Sequence, residues 1–202
     1  YDPTFIVGAT CEQIGGGARV GRADGLIAEA CEYDRSFHNF QPTHAAILNV
    51  EEDHLDIYGD IDGVVEAFHE FARLVHPDGS LLIHHDRAYR TRIAAGLPCA
   101  VRTFGYSPEA DWTIEKVSDT VPSSVPPEKV SGFFSAGREN HPDTFCVRRA
   151  GEVVCRFACR LPGEHMAANA AAAGILAHQL GVDWGGIGEA LCSFRGLDRR
   201  MQ

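Results

Sequence analysis

Carboxylates and one imidazole collect where two short apolar runs end. Leu26-Ile27-Ala28 runs into Glu29-Ala30-Cys31-Glu32-Tyr33-Asp34. Ala45-Ala46-Ile47-Leu48 runs into Asn49, followed by Glu51, Glu52, Asp53, His54 and Asp56. Short apolar runs bounded by polar turns read as buried strands. In an open parallel sheet, ligands sit outside the carboxyl ends of the strands. Hard oxygen ligands gathered there could hold a metal-bound phosphate. The same acidic residues could equally cap solvated loops, and the residue types alone leave both readings open. The stretch 24–60 is the part around which the rest of the chain is organised.

Three further groups could carry chemistry. Gly15, Gly16, Gly17 and Gly21 surround Arg19, and glycines permit close ligand approach, so Arg19 could contact an anion or lie in a plain surface loop. His84-His85-Asp86 resembles a metal site in composition. Neighbouring residues on a strand point to opposite faces, however, so the two imidazoles do not readily share one ion. Cys155 and Cys159 share strand parity but lack a second ligand pair for tetrahedral zinc, and buried free thiols are the expectation.

Alternating strands and helices must position these residues. Thr4 to Gly8 reads as a short strand. Asp60 can cap a helix over 61–75, with Val64, Val65, Phe68, Ala72 and Val75 on its apolar face. Pro77-Asp78-Gly79 reads as a turn before a buried strand over 80–83. A short helix over 88–95 ends at Gly96, and another strand covers 101–104. After Gly105 the texture changes. A strand over 112–117, Phe133-Phe134, Phe145-Cys146-Val147 and Val153 to Phe157, with a turn near Ala150-Gly151-Glu152, predict antiparallel pairing. The alanine-rich run 165–180 predicts a helix closed by Gly181, followed by a helix over 184–194. The expected fold class is therefore α/β: a mostly parallel sheet flanked by helices, with a small antiparallel subdomain over 112–160.

Composition narrows the function. The chain has 202 residues and a formal charge of -10, which argues against nonspecific nucleic-acid binding. It lacks a long uncharged apolar stretch, so no membrane insertion is expected. Seven irregularly spaced cysteines fit reduced thiols and a cytoplasmic location better than a disulfide framework. Lys116 and Lys129 are the two lysines, and neither follows a glycine-rich loop. No Gly-x-x-x-x-Gly-Lys-Ser/Thr run occurs, so the sequence contains no Walker A phosphate cradle.

Four ordered blocks resemble the central ATPase domain of the Mur ligases. They are 29–37 (EACEYDRSF), 49–56 (NVEEDHLD), 161–173 (LPGEHMAANAAAA) and 194–202 (FRGLDRRMQ). The likeness is nearest the alanine-adding members, where it implies ATP and Mg2+ as cofactors and UDP-N-acetylmuramate and L-alanine as substrates. It implies that Glu29 and His54 contact metal and that Asn49 organises the same catalytic centre. Asp53 would orient His54, while Glu32 and Asp34 stay open between functional and structural roles. His165, Asn169 and Arg200 would contact the nucleotide, and Arg19 would lie near the UDP sugar. The chain departs from the family pattern at Gly17, Met166 and Arg199, where Asn, Asn and His are common. No lysine occurs over 51–75, which fits the resemblance to the alanine-adding members, since the others commonly use a carbamylated lysine.

In that family the Walker A loop comes just before the point where this chain begins, and two outer domains complete the site. The resemblance therefore implies that 1–202 is a partial Mur ligase central domain, inactive by itself. A related tripeptide ligase acting on the same UDP sugar, or a non-catalytic nucleotide-binding module, are the alternatives.

Overall fold

All five residues of Ser80–His84 are buried, so this strand must lie at the centre of a sheet covered on both faces. The computed structural model describes residues 1–117 and 143–197. In it this strand, β5, lies between β4 (His44–Ile47) and β6 (Ala100–Gly105), all parallel. The sheet continues through β7 (Trp112–Val117), β8 (Asp143–Arg149) and β9 (Glu152–Cys159) in the order β4-β5-β6-β7-β8-β9. β7 is parallel to β6, whereas β8 pairs antiparallel with β7 and β9 antiparallel with β8. The antiparallel part expected over 112–160 is thus the edge of the main sheet and continuous with it. Phe133-Phe134 lies outside the described residues.

Alternation along the strands divides the core. Leu81 and Ile83 of β5 pack with Ala45 and Ile47 on one face, under α2 (Ile61–Arg73). Leu82, Phe104, Trp112 and Ile114 pack on the other, under α4 (Glu164–Gln179) and α5 (Trp184–Ser193). Asp60 caps α2 by accepting from the Gly63 amide at 2.9 Å, and Asp183 caps α5 through Gly186 at 3.0 Å. Both caps follow from a short acceptor side chain before an apolar-periodic run. Helix α4 buries Ala167, Ala168, Ala171 and Ala172; their short side chains let it lie close to the sheet. It closes in a paired turn: Gly181 (φ 90) donates to His178 O and Val182 to Ala177 O, the 5→2 and 6→1 bonds of a Schellman end.

A second, three-stranded sheet has the order β2-β1-β3 and comprises β1 (Thr4–Cys11), β2 (Gly16–Arg19) and β3 (Leu26–Ala28). This corrects the reading of Leu26-Ile27-Ala28 as a buried strand. It pairs parallel to β1, and Leu26 and Ile27 are 57% and 51% exposed. Three apolar residues fit a covered strand or an open edge equally well, and the burial depends on neighbours a local pattern does not encode. The expected glycine loop around Arg19 also contains strand β2. The expected helix over 88–95 is a single turn, α3 (Arg90–Ile93).

Candidate active site

The segment after β3 is held against α2 by three side chains. Phe37, 2% exposed, stacks on Phe71 with ring centroids 4.8 Å apart. His38 Nε2 bonds Ala67 O at 2.8 Å, and Arg35 pairs with Glu70 at 2.7 Å. Burying a phenylalanine stabilises by roughly 1.5–3 kcal/mol, enough to fix a loop that Asp34 (φ 50) and Arg35 (φ 53) take through consecutive left-handed conformations. Such conformations cost free energy for non-glycine residues and persist where the surroundings over-determine them. The loop carries Glu32, whose carbonyl accepts a hydrogen bond from the Tyr58 hydroxyl.

The segment after β4 supplies the facing side. His54 adopts φ 51 and precedes α1 (Leu55–Tyr58). Its amide donates to Asp53 Oδ1 at 2.8 Å. Its Nδ1 lies 3.7 Å from the same oxygen, and its Nε2 lies 3.8 Å from Glu32 Oε1. The Tyr33 ring meets the imidazole edge-on at 5.1 Å. One ligand atom from each of Glu32, Asp53 and His54 lies within 4.8 Å of the others. Among the described residues this is the one such group that could hold a metal ion. Two carboxylates suit a hard divalent cation such as magnesium, with imidazole a less typical third partner. Glu32, Asp53 and His54 are the residues that would hold such an ion.

The residues singled out from sequence are distributed more widely. Glu29 Oε2 accepts from the Gly8 amide of β1 at 2.6 Å, at the end of the small sheet. Asn49 donates to Glu51 Oε1 at 2.6 Å and lines a narrow crevice with Ile47, Ile83, His84 and Arg87 at the carboxyl ends of β4 and β5. Arg19 pairs with Asp2 at 2.8 Å. His165 and Asn169 lie one helical turn apart at the start of α4, on one face. Tyr106 donates to Glu164 O there at 2.6 Å, tying that helix start to the end of β6. Burial pushes the Tyr106 hydroxyl up to about 12, so it remains a donor at neutral pH. Arg199 and Arg200 lie outside the described residues.

Geometry adds Glu32 to the group around His54 and makes Asp53, expected to orient that histidine, a candidate ligand beside it. Both lie inside the acidic blocks visible in the sequence. Their selection depends on left-handed turns at Asp34, Arg35 and His54, which residue types do not announce. His84 and His85 do not share a site: His84 is 4% exposed and its Nδ1 accepts from the Asp86 amide at 3.2 Å, while His85 Nε2 faces Glu109 at 3.8 Å. Cys155 and Cys159 are buried free thiols, and burial pushes the Cys155 thiol up to about 11.

Comparison with known proteins shows the family to which the chain belongs. The Mur ligase middle domain matches residues 17–177. The UDP-N-acetylmuramate–L-alanine ligase of Caldanaerobacter subterraneus subsp. tengcongensis is 34% identical over 202 residues, all of this chain and 40% of that protein. The ligase of the same description from Agathobacter rectalis is 35% identical over 201 residues, again 40% of its length. The chain thus spans about 40% of the length of these curated relatives. Among solved structures, the Neisseria meningitidis UDP-N-acetylmuramate:L-alanyl-gamma-D-glutamyl-meso-diaminopimelate ligase superposes with TM-score 0.78 at 23% identity, covering 98% of this chain and 59% of that one. The Thermotoga maritima UDP-N-acetylmuramate-alanine ligase gives 0.73 at 23% identity, covering 98% and 40%. The two superpositions carry the fold, and the domain match over most of the chain carries the family: this chain belongs to the Mur ligases, as their middle domain.

Proposed function

We propose that the chain is the central part of an ATP-dependent ligase that joins UDP-N-acetylmuramate to L-alanine in peptidoglycan precursor synthesis. The observation that carries this reading is the identity of about one third along the whole chain to L-alanine ligases, together with the Glu32–Asp53–His54 group at the strand ends. Magnesium bound there would neutralise crowded phosphate oxygens while the substrate carboxyl is activated through an acyl phosphate. Glu32 and Asp53 supply negative charge to retain the cation, and Asp53 also holds the His54 backbone. The resemblance adds Glu29 as a further metal contact, which requires its carboxylate to leave the Gly8 amide. It adds Asn49 as a polar organiser beside the crevice, Arg19 on the sugar side and Arg200 on the phosphate side. His165 and Asn169 would hold the adenine, where an amide can both donate and accept.

The test is amine choice by the full-length protein that carries this chain. UDP-N-acetylmuramate, ATP and Mg2+ are supplied with L-alanine or with L-alanyl-gamma-D-glutamyl-meso-diaminopimelate, and ADP and the UDP-linked product are separated chromatographically. Product with L-alanine supports the proposal; product with the tripeptide alone replaces it with tripeptide ligation. Residues 1–202 by themselves should form neither product, because the sequence contains no Walker A loop to pin the transferring phosphate.

A further inference from the structure

A cleft of about 340 Å³ opens at the amino-terminal ends of the parallel strands, at the opposite edge of the sheet from Asp53 and His54. It is lined by His44, Ser80 and Ala100, the first residues of β4, β5 and β6, and by Arg102, Trp112, Arg149 and Gln179. We propose that this cleft is a second binding site, for a small molecule bearing a diphosphate group.

The wall is rich in donors. The Arg149 guanidinium lies over the Trp112 ring at 4.6 Å, an attraction that fixes the side chain yet leaves its in-plane N–H groups available. Among the described residues, neither Arg102 nor Arg149 is paired with a carboxylate. In a chain with 28 acidic and 18 basic residues, two guanidinium groups left unpaired in one cleft are a local reversal of sign. Ser80 Oγ donates to Gln179 Oε1 at 2.8 Å and so receives His44 Nδ1–H at 3.0 Å. That chain occupies the Gln179 oxygen and leaves its –NH2 as a further donor. Guanidinium forks and an amide N–H match the acceptor-only oxygens of phosphate. The volume exceeds what a single phosphate fills, which favours a linked pair.

Two features oppose an anion. Asp78 stands on the rim, 93% exposed at its side chain, where solvent screens it. The last turn of α4 presents partial negative charge, worth about half an elementary charge before capping. Its Ala177 and His178 carbonyls are already satisfied by Val182 and Gly181. Two guanidinium charges exceed the single Asp78 carboxylate and what remains of the helix end, with screening acting on exposed groups of both signs.

The chain's two tryptophans report on this cleft. Trp112 lines it, and Trp184 stacks on the cleft residue His178 at 4.5 Å. The experiment is a tryptophan-fluorescence titration of the 202-residue chain with inorganic pyrophosphate in EDTA, against sodium chloride at matched ionic strength. A saturable change specific to pyrophosphate is expected, with the apparent Kd raised about tenfold or more by Arg102→Gln. That variant alters an exposed side chain and leaves the Arg149–Trp112 contact intact. Glu32→Gln should leave the titration unchanged. No saturable change up to about 10 mM, an equal response to chloride, an unaltered Kd in Arg102→Gln, or loss of binding in Glu32→Gln would each overturn the proposal. A nucleoside diphosphate that binds at least as tightly extends the ligand to the ester, whereas binding of pyrophosphate alone restricts it to the free anion.

Discussion

His54 Nε2 lies 3.8 Å from Glu32 Oε1, across the gap between the ends of two strands that belong to different sheets. The contact depends on how the Glu32 segment is anchored. The Tyr58 hydroxyl donates to the Glu32 carbonyl, so one helix turn after His54 holds the opposite wall. Tyr58→Phe should cost about 1 kcal/mol of stability in urea unfolding. It should also weaken Mn2+ binding several-fold. Unchanged Mn2+ affinity would show that the anchor does not set the geometry of the group.

The hairpin between β8 and β9 turns through Ala150 (φ 50) and Gly151 (φ 82). Both central residues are left-handed, as a two-residue type I′ turn demands. Alanine is poorly suited to the first of these positions, whereas asparagine tolerates it. Ala150→Asn should stabilise the chain by roughly 0.5–1 kcal/mol. Gly151→Ala should destabilise it by at least as much. Thermal unfolding of both variants reads the sign directly.

Burial pushes the His84 imidazole below its ordinary value of 6.5, and the nearby Arg87 charge adds to the effect against Asp86. As pH falls, the unfolded chain therefore takes up this proton first. The stability associated with neutral His84 is present above about pH 6.5 and is lost as pH drops toward the folded-state value. His84→Asn should flatten that part of the pH–stability curve, measured by denaturant unfolding at several pH values between about 7 and 5. An equally steep decline in the variant would assign the dependence to other groups.

Asn169 follows His165 by one turn on α4. In the full-length protein, Asn169→Ala should weaken adenine-nucleotide binding about tenfold through lost amide hydrogen bonds, with the unfolding midpoint little changed because the side chain is only half-buried. Calorimetric titration with unchanged affinity would remove Asn169 from the nucleotide site.

Much of this architecture was legible from local patterns. The Asp60 cap, the α2 face through Val64, Val65 and Ala72, the Gly181 stop and the turn at Ala150-Gly151 each follow from short-range physics that the chain carries in a few residues. The membership of Leu26-Ile27-Ala28 in a separate exposed sheet was not legible, because strand pairing and burial are set by distant partners such as Thr4 to Ile6. The candidate site divides in the same way. Acidic strand ends and His54 stand out by type. Glu32 is brought to the imidazole by Phe37 packing on α2 and by left-handed backbone at Asp34 and Arg35. The anchoring is tertiary, and a residue list cannot distinguish Glu32 from Glu29 without it.

Glu32 and Glu29 are distinguished functionally by the metal dependence of the reaction. The most direct measurement is the magnesium dependence of UDP-N-acetylmuramoyl-L-alanine formation by the full-length protein, wild type beside Glu32→Gln. A ligase with Glu32 at the metal predicts that wild type forms this product with matching ADP, and that Glu32→Gln needs about tenfold more magnesium for half-maximal rate, since a charged ligand has become a neutral one. An unchanged magnesium requirement in Glu32→Gln, or no L-alanine product from wild type, would contradict it.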